Sequence, residues 1–219
     1  MRQLMRVMGL EAIYPKRRLS LPNKEHRVYP YLLRDLAIVR PDQVWCSDIT
    51  YIRLKGGFAY LVAVMDWFSR YVLSWELSLS LESGFCVRAV KAALGVSRPD
   101  IFNTDQGCQY TSEGFTKVLE DAQVRISMDG KGRAFDNIFI ERLWRTVKYE
   151  EVPEQRRREV FLKDYGHFFA AGESLGEYFG FYNEERRHSS LGGRTPAVVP
   201  EHSRRAVYWE GRERAVKAG

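Results

Sequence analysis

The 219 residues are 45% apolar and 28% charged, a composition that indicates a folded globular protein and excludes a largely disordered chain. No apolar run approaches the roughly 20 residues of a membrane span, and the first residues lack a secretory signal. We therefore expect a cytoplasmic protein with no membrane partner. Three cysteines without a Cys-x-x-Cys pair argue against a disulfide framework or a zinc module, so we expect free thiols.

The net charge of +6 is concentrated near the amino terminus. Residues 1–34 hold eight basic and two acidic side chains, so this segment carries the whole excess of the chain. Four prolines between residues 15 and 41 predict an extended linker, because each disfavours a helix before it. We expect a basic, polyanion-seeking arm over residues 1–40, although a solvated terminus explains the charge equally well.

Three strand-like runs follow the arm. They are VWCSDITYIRL, FAYLVAVMDWF and YVLSWELSL, and a Gly56-Gly57 turn and a Ser69-Arg70 bend separate them. Such runs of β-branched and aromatic residues, joined by turn residues, predict an antiparallel meander.

Helices and strands then alternate. A helix is predicted at residues 82–95 and a short strand at 100–103, before a helix of about a dozen residues that Thr111-Ser112 would cap. VRISM predicts a fifth strand, and a glycine-rich loop leads to a long helix, IFIERLWRTVKYEEV, with Asp136-Asn137 as good N-cap residues. The predicted order is βββαβαβ and then a helix.

Three carboxylates stand where local preference argues against them. Asp48 lies within the first strand although strands avoid aspartate, Asp105 ends the fourth strand, and Glu141 flanks the apolar face of the last helix. If the two strands are neighbours and the helix crosses them, the three acids converge, and like charges that close need a cation. Two divalent ions can clamp the oxygens of a phosphoryl displacement, so the set predicts cutting or joining of nucleic-acid backbone.

Each acid taken singly has a plainer interpretation. Asp48 and Asp105 could be turn or strand-edge residues, and Glu141 could be the exposed partner of Arg145 at i+4. Asp66, at the end of the second strand, competes as a catalytic acid, but its position in a tight bend predicts that it stabilises the turn.

Motifs that occur in order make the interpretation specific. They are Trp45-x-x-Asp48-Ile-Thr-Tyr, Asp105-x-Gly107-x-Gln109-Tyr110, and Asp136-Asn137-x-x-x-Glu141 with Lys148 seven residues on, and 35 residues separate Asp105 from Glu141. Together they resemble the D,D-35-E catalytic core of retroviral integrases and bacterial insertion-sequence transposases. Further on, Tyr182-Asn183-x-x-Arg186-x-His188-x-x-Leu191-Gly-x-x-Thr195-Pro196 resembles the C-terminal signature of insertion sequences that make their transposase from two overlapping frames.

The resemblance implies an α/β, RNase H-like fold over residues 41–200. Its mixed sheet would have five strands, three antiparallel and then two parallel, flanked by helices. A basic tail would follow at 201–219, and the arm at 1–40 would be the remnant of a helix-turn-helix region and its linker.

The resemblance also implies the chemistry. Asp48, Asp105 and Glu141 would be the catalytic residues and would bind two Mg²⁺ ions, with Mn²⁺ as a substitute, and Gly107 would leave room for the DNA backbone. The partners would be the DNA element ends, target DNA and further copies of the chain on the bacterial nucleoid. The expected DNA contacts are Lys148, Arg145, Asn137, Gln109, Arg186, His188, Arg17 and Arg18.

The chain also departs from the family pattern. Asn103-Thr104 stands where His-Ser is usual, Gln106 stands where Arg is common, and residues 153–160 look like an insertion. These departures keep a second hypothesis open, a truncated and catalytically impaired DNA-binding remnant or regulator of transposition. A simple ribonuclease H is a weaker third hypothesis. His188 is a possible fourth metal ligand, but a lone histidine after a helix is more often structural.

Overall fold

The computed structural model describes residues 27–130, 138–149 and 165–199. Its strands are β1 (Val44–Leu54), β2 (Gly57–Asp66), β3 (Val72–Ser78), β4 (Ile101–Thr104) and β5 (Arg125–Met128). Its α-helices are α1 (Gly84–Leu94), α2 (Glu113–Asp121), α3 (Ile138–Tyr149) and α4 (Phe168–Glu184), and two short 3-10 helices follow at Ser189–Leu191 and Pro196–Val198.

The five strands form one sheet in the order β3-β2-β1-β4-β5. β1 and β2 pair antiparallel, as do β2 and β3, whereas β4 pairs parallel with both β1 and β5. The predicted sheet of three antiparallel and two parallel strands is therefore confirmed. It puts β1 next to β4, as convergence of the first two acids requires.

One face of the sheet packs against α3 and α4. Successive strand residues point to opposite faces, so Cys46 and Ile52 of β1 point to this side. The helices cover them with an apolar stripe that recurs at helical spacing in α3: Ile140, Leu143, Trp144 and Val147, all at most 6% exposed. The apolar face predicted for this helix is confirmed.

The opposite face packs against α1 and α2. Trp45 of β1 and Phe102 of β4 are fully buried there, under Phe85 of α1 and Phe115 of α2. Phe115 meets the Phe102 ring edge-on at 5.8 Å. Asp48 and Trp45 therefore lie on opposite sides of the same strand, and the candidate site belongs to the α3 side.

The boundaries of most predicted elements agree with the structure within two residues. Ser112 does occupy the N-cap position of α2, but its hydroxyl donates to the Gln109 carbonyl and does not cap the helix. The sequence pattern does not predict α4, because its apolar residues are interrupted by glycines and form no narrow stripe. Residues 131–137, which include most of the loop after β5 and the Asp136-Asn137 cap, lie outside the described residues, as do the 153–160 insertion and the 201–219 tail.

Residues 27–33, which the sequence assigns to the arm, pack on the folded core. The Tyr29 hydroxyl donates to Glu120 at 2.6 Å, the Leu32 amide donates to the Ser127 hydroxyl at 3.0 Å, and Leu33 is only 6% exposed. The core thus holds the last part of this segment. No helix in the part of the chain that the structure describes is both long and apolar enough to cross a membrane.

Candidate active site

Asp48 is a partly buried acid in the middle of β1. It lies opposite Ala63 of β2, and its Oδ2 accepts a hydrogen bond of 2.9 Å from the indole nitrogen of Trp144 on α3. Burial raises the pKa of Asp48 to about 6, against the opposing effects of the Trp144 bond and a backbone bond at Ile49. The negative charges of Asp105 and Glu141 raise this pKa further.

The parallel pairing of β1 with β4 places Asp105 near Asp48. Cys46 of β1 pairs with Asn103 of β4. Asp48 follows Cys46 by two residues, and Asp105 follows Asn103 by two residues. Asp105 is exposed just beyond the end of β4, and its Oδ1 accepts the Gly107 amide at 2.9 Å. This hydrogen bond fixes the orientation of the Asp105 carboxylate, although Asp105 lies beyond the last residue of β4.

Glu141 reaches the same region from the first turn of α3. Glu141 and Arg145 are both exposed and form no ion pair with each other among the described residues, so the plain interpretation of Glu141 as a partner of Arg145 lacks support. The effect on the pKa of Asp48 places both other acids within its electrostatic reach. Within the described ranges, however, no three carboxylate, imidazole or thiol side chains are gathered closely enough to hold one ion.

The donor set fits a hard divalent cation. Carboxylate oxygens are the ligands that Mg²⁺ prefers, and the trio offers carboxylates from two strands and a helix. Burial of Asp48 beside two like charges leaves an excess of negative charge that a cation would neutralise.

Gly107 has an internal reason to be glycine. A Cβ built there would lie 2.9 Å from Oδ1 of Asp105 and 3.5 Å from the Gln109 amide oxygen. The space beside Gly107 is thus taken by the Asp105 carboxylate. The room that the sequence assigns to the DNA backbone is occupied by the chain itself.

Tyr110 ties the loop after Asp105 back to β1. Its hydroxyl lies 3.0 Å from the Ser47 hydroxyl, both groups are buried, and its amide donates to the Gly107 carbonyl. Ser47 directly precedes Asp48, so this hydrogen bond connects the loop that follows Asp105 with the residue next to Asp48. Tyr110 belongs to the motif Asp105-x-Gly107-x-Gln109-Tyr110, so the sequence indicates a role for it, whereas nothing in the sequence indicates a role for Ser47.

Asp66 stabilises the bend after β2, as predicted. Its Oδ2 accepts from the Ser69 amide and hydroxyl at 2.8 and 2.6 Å, and its Oδ1 accepts from the Asp42 amide at 2.9 Å. Both oxygens are satisfied within the fold and the side chain is fully buried. All three cysteines are free thiols, also as predicted.

Comparisons with known proteins agree with this geometry. A family model described as "Integrase core domain" matches residues 39–134, and a second model of the same description matches residues 122–196. Together the matched ranges include Asp48, Asp105 and Glu141. The chain belongs to the integrase core domain family.

Curated relatives of this integrase core are insertion-sequence transposases. It is 30% identical over 185 residues to the transposase for insertion sequence element IS904 of Lactococcus lactis, with 81% of this chain and 66% of that protein covered. It is 32% identical over 202 residues to the transposase for IS629 of Shigella sonnei, with 89% and 64% covered. The chain thus spans just under two thirds of the length of each.

Solved structures confirm the RNase H-like integrase fold. The integrase core resembles a chain of the simian T-cell lymphotropic virus intasome in complex with PP2A regulatory subunit B56 gamma, with a TM-score of 0.58 at 18% identity, covering 81% of this chain and 60% of that one. It also resembles the HTLV-2 integrase catalytic core domain in complex with magnesium in its trimeric form, with a TM-score of 0.50 at 18% identity, covering 73% and 96%.

Of the expected DNA contacts in the integrase core, Lys148 lies within electrostatic reach of Asp48. It is half-buried on α3, where burial lowers its pKa and the charge of Asp48 acts in the opposite direction. Arg145 is exposed on the same helix. Arg17, Arg18 and Asn137 lie outside the described residues.

The remaining expected contacts make bonds within the fold. The Gln109 amide nitrogen donates to the Leu81 carbonyl at 2.8 Å, so this side chain holds the loop after Asp105. The His188 ring is buried edge-on against Tyr182 of α4 at 4.8 Å, and an Arg186 nitrogen lies 3.2 Å from it. These contacts support the structural interpretation of His188, and a DNA contact by any of the three stays a prediction.

Proposed function

We propose that this chain is the catalytic core of an insertion-sequence transposase that cuts DNA at element ends and joins the ends to target DNA. The observation that carries the proposal is the placement of the three acids: Asp48 on β1, Asp105 just beyond the adjoining strand β4, and Glu141 on α3, the helix whose Trp144 bonds to Asp48. Because the chain spans under two thirds of its curated relatives, the reaction itself is part of the proposal.

The three acids would hold divalent ions, Mg²⁺ or Mn²⁺ in its place, and we propose two ions. The HTLV-2 integrase core was solved in complex with magnesium, which supports a divalent ion here. When bound, such ions supply Lewis-acid activation of the attacking oxygen and neutralise charge on the leaving oxygen.

The residues of the chain would prepare the site. Trp144 orients one oxygen of Asp48, the Gly107 amide orients one oxygen of Asp105, and Lys148 offers an ammonium group to a DNA phosphate. The bound DNA would then undergo two successive reactions, strand cleavage and strand joining. A water oxygen attacks the phosphorus at the element end and frees a 3′-hydroxyl, and that hydroxyl attacks a target phosphorus, from which the target's own 3′-oxygen departs.

Assembly on DNA is part of the proposal. The simian virus chain belongs to an intasome, which supports several copies of a chain acting together on DNA, and we propose the same on nucleoid DNA in the bacterial cytoplasm. Arg145, Arg17 and Arg18 are the exposed or arm positions that we propose as phosphate contacts, with Asn137, Gln109, Arg186 and His188 as further candidates.

The test is joining of a labelled duplex with a free 3′-hydroxyl to a supercoiled plasmid, in Mg²⁺ and in EDTA. Asp48→Asn, Asp105→Asn and Glu141→Gln should each lower joining by roughly two orders of magnitude or more. Asp121→Asn is the matched control, because Asp121 is an exposed acid paired only with Lys117 at i−4 among its described ion pairs. DNA binding without Mg²⁺-dependent joining would instead support the alternative, a catalytically impaired DNA-binding remnant or regulator of transposition.

A further inference from the structure

Asn103 and Asp129 form a buried polar pair at the carboxyl ends of β4 and β5. The Asn103 side-chain nitrogen donates to Oδ1 of Asp129 at 2.9 Å, with the two side chains 0% and 9% exposed. The Asp129 amide also donates to the Thr104 carbonyl at 2.9 Å. Asp129 therefore holds the last two residues of β4 by one side-chain bond and one backbone bond.

The pair lies directly beneath a proposed ligand. Asn103 pairs with Cys46 of β1 on one side and with Ser127 of β5 on the other, and Asp105 follows two residues later. β4 has only four residues, so few backbone bonds fix the direction in which the chain leaves it. An added side-chain bond at Asn103 restricts the point from which Asp105 departs.

Stability alone does not explain a polar pair here. The Asp129 carboxylate selects the amide orientation that presents nitrogen to it, which leaves Oδ1 of Asn103 buried without a hydrogen-bond partner among the described residues. A buried acceptor without a donor costs free energy, and two apolar side chains of similar size would avoid that cost. Because the pair does not maximise stability, its two bonds to the end of β4 point to a role in geometry.

We propose that Asn103 and Asp129 are positioning residues that clamp the end of β4 and thereby aim Asp105 at the divalent ions. This inference rests on the proposed function, because it takes Asp105 as a metal ligand. Partners that orient metal ligands typically affect metal affinity by 10- to 100-fold. Loss of the clamp should therefore weaken divalent binding in a chain that still folds.

The experiment measures the Mn²⁺ dissociation constant of the full chain from the electron paramagnetic resonance signal of free Mn²⁺, together with the melting temperature without metal. Asn103→Leu, which cannot donate to Asp129, should weaken Mn²⁺ binding roughly tenfold. The double variant Asn103→Asp with Asp129→Asn restores a hydrogen bond with reversed polarity and unchanged net charge. It should bind Mn²⁺ within about threefold of the wild type.

Asp105→Asn separates the two proposals. If it binds Mn²⁺ as the wild type does, the metal site is wrongly assigned and the clamp proposal fails with it. If Asp105→Asn weakens binding and Asn103→Leu does not, only the clamp proposal is wrong. The clamp proposal is also wrong if the double variant binds Mn²⁺ as poorly as Asn103→Leu does. A lower melting temperature with an unchanged dissociation constant would show a purely structural pair. If Asn103→Leu does not fold, Asn103→Ser, too short to reach Asp129, replaces it under the same criteria.

Discussion

At the scale of single residues, the site depends on acids whose surroundings differ. Asp48 is partly buried between the sheet and α3, whereas Asp105 and Glu141 are exposed. A partly buried carboxylate beside two like charges is a source of instability when no cation is present. The same feature gives the site its expected affinity for a divalent ion.

Asp48→Asn should stabilise the metal-free chain in a pH-dependent way. Folding raises the pKa of Asp48 from 3.8 to about 6, so between these pH values the folded state keeps a proton that the unfolded state has lost. The destabilisation caused by the charged carboxylate therefore grows from about pH 4 and reaches its full size above about pH 6. The expected gain is at most about 3 kcal/mol at pH 7.5 and vanishes below about pH 4. Melting temperatures of both chains from pH 4 to 8 in EDTA measure it.

Two results would contradict this account of Asp48. One is a stability difference between the two chains that stays constant across the pH range. The other is a difference at pH 7.5 that Mg²⁺ does not reduce, because a bound cation should remove the cost of the wild-type charge.

Gly107→Ala should damage chemistry more than folding. The added Cβ would meet Oδ1 of Asp105 at 2.9 Å, and the free end of that side chain can move aside at little cost to the backbone. We expect a stability change within about 1 kcal/mol and at least a tenfold loss of strand joining. Gly114→Ala is the control, since a Cβ there has nothing within 4 Å. Equal joining by the two variants would refute the geometric role of Gly107.

At the scale of elements, the relation between β1 and α3 controls the site. α3 buries its apolar stripe on the sheet and, from the same side, sends the Trp144 indole to Asp48. The loop after β4 is fixed to β1 separately, through Tyr110 and Ser47. Two independent contacts therefore connect Asp48 with the elements that carry the other acids.

Trp144→Phe should shift the pH dependence of joining upward. Loss of the indole donor removes an interaction that lowers the pKa of Asp48, so a higher pH is needed to ionise it. We expect a larger loss of joining at pH 6.5 than at pH 8.5. Trp67→Phe is the control, because Trp67 contacts Phe139 of α3 at 5.4 Å between ring centres and is not the donor to Asp48. Parallel profiles for the two variants would contradict this.

At the scale of the whole molecule, a core of balanced charge is joined to a basic amino-terminal segment. Residues 35–219 contain equal numbers of basic and acidic side chains, so the excess of +6 lies before them. Residues 27–33 belong to the packed core, through Tyr29 and Leu33. The segment that can be removed while these core interactions are kept is therefore 1–26.

Deleting residues 1–26 should weaken DNA binding and leave folding unchanged. The segment holds six basic residues, and removal of each phosphate interaction lowers the slope of log K against log salt by about 0.9. We expect the slope to fall by about two or more, with the melting temperature unchanged. Deleting residues 1–34 should in addition lower the melting temperature, because Leu33 is buried. An unchanged slope would show that the arm is a solvated terminus.

The sequence by itself determined the order of strands and helices along the chain and the helix that carries Glu141, and it singled out the three acids as candidates. Periodicity and turn residues act locally, and the spacing of Asp105 and Glu141 is readable without a structure. The sequence could not show that burial raises the pKa of Asp48, that Gly107 makes room for Asp105, or that Asn103 bonds to Asp129. Each of these depends on which side chains the register of paired strands and the packing of α3 bring together. That outcome is set by long-range contacts and not by neighbours in the chain.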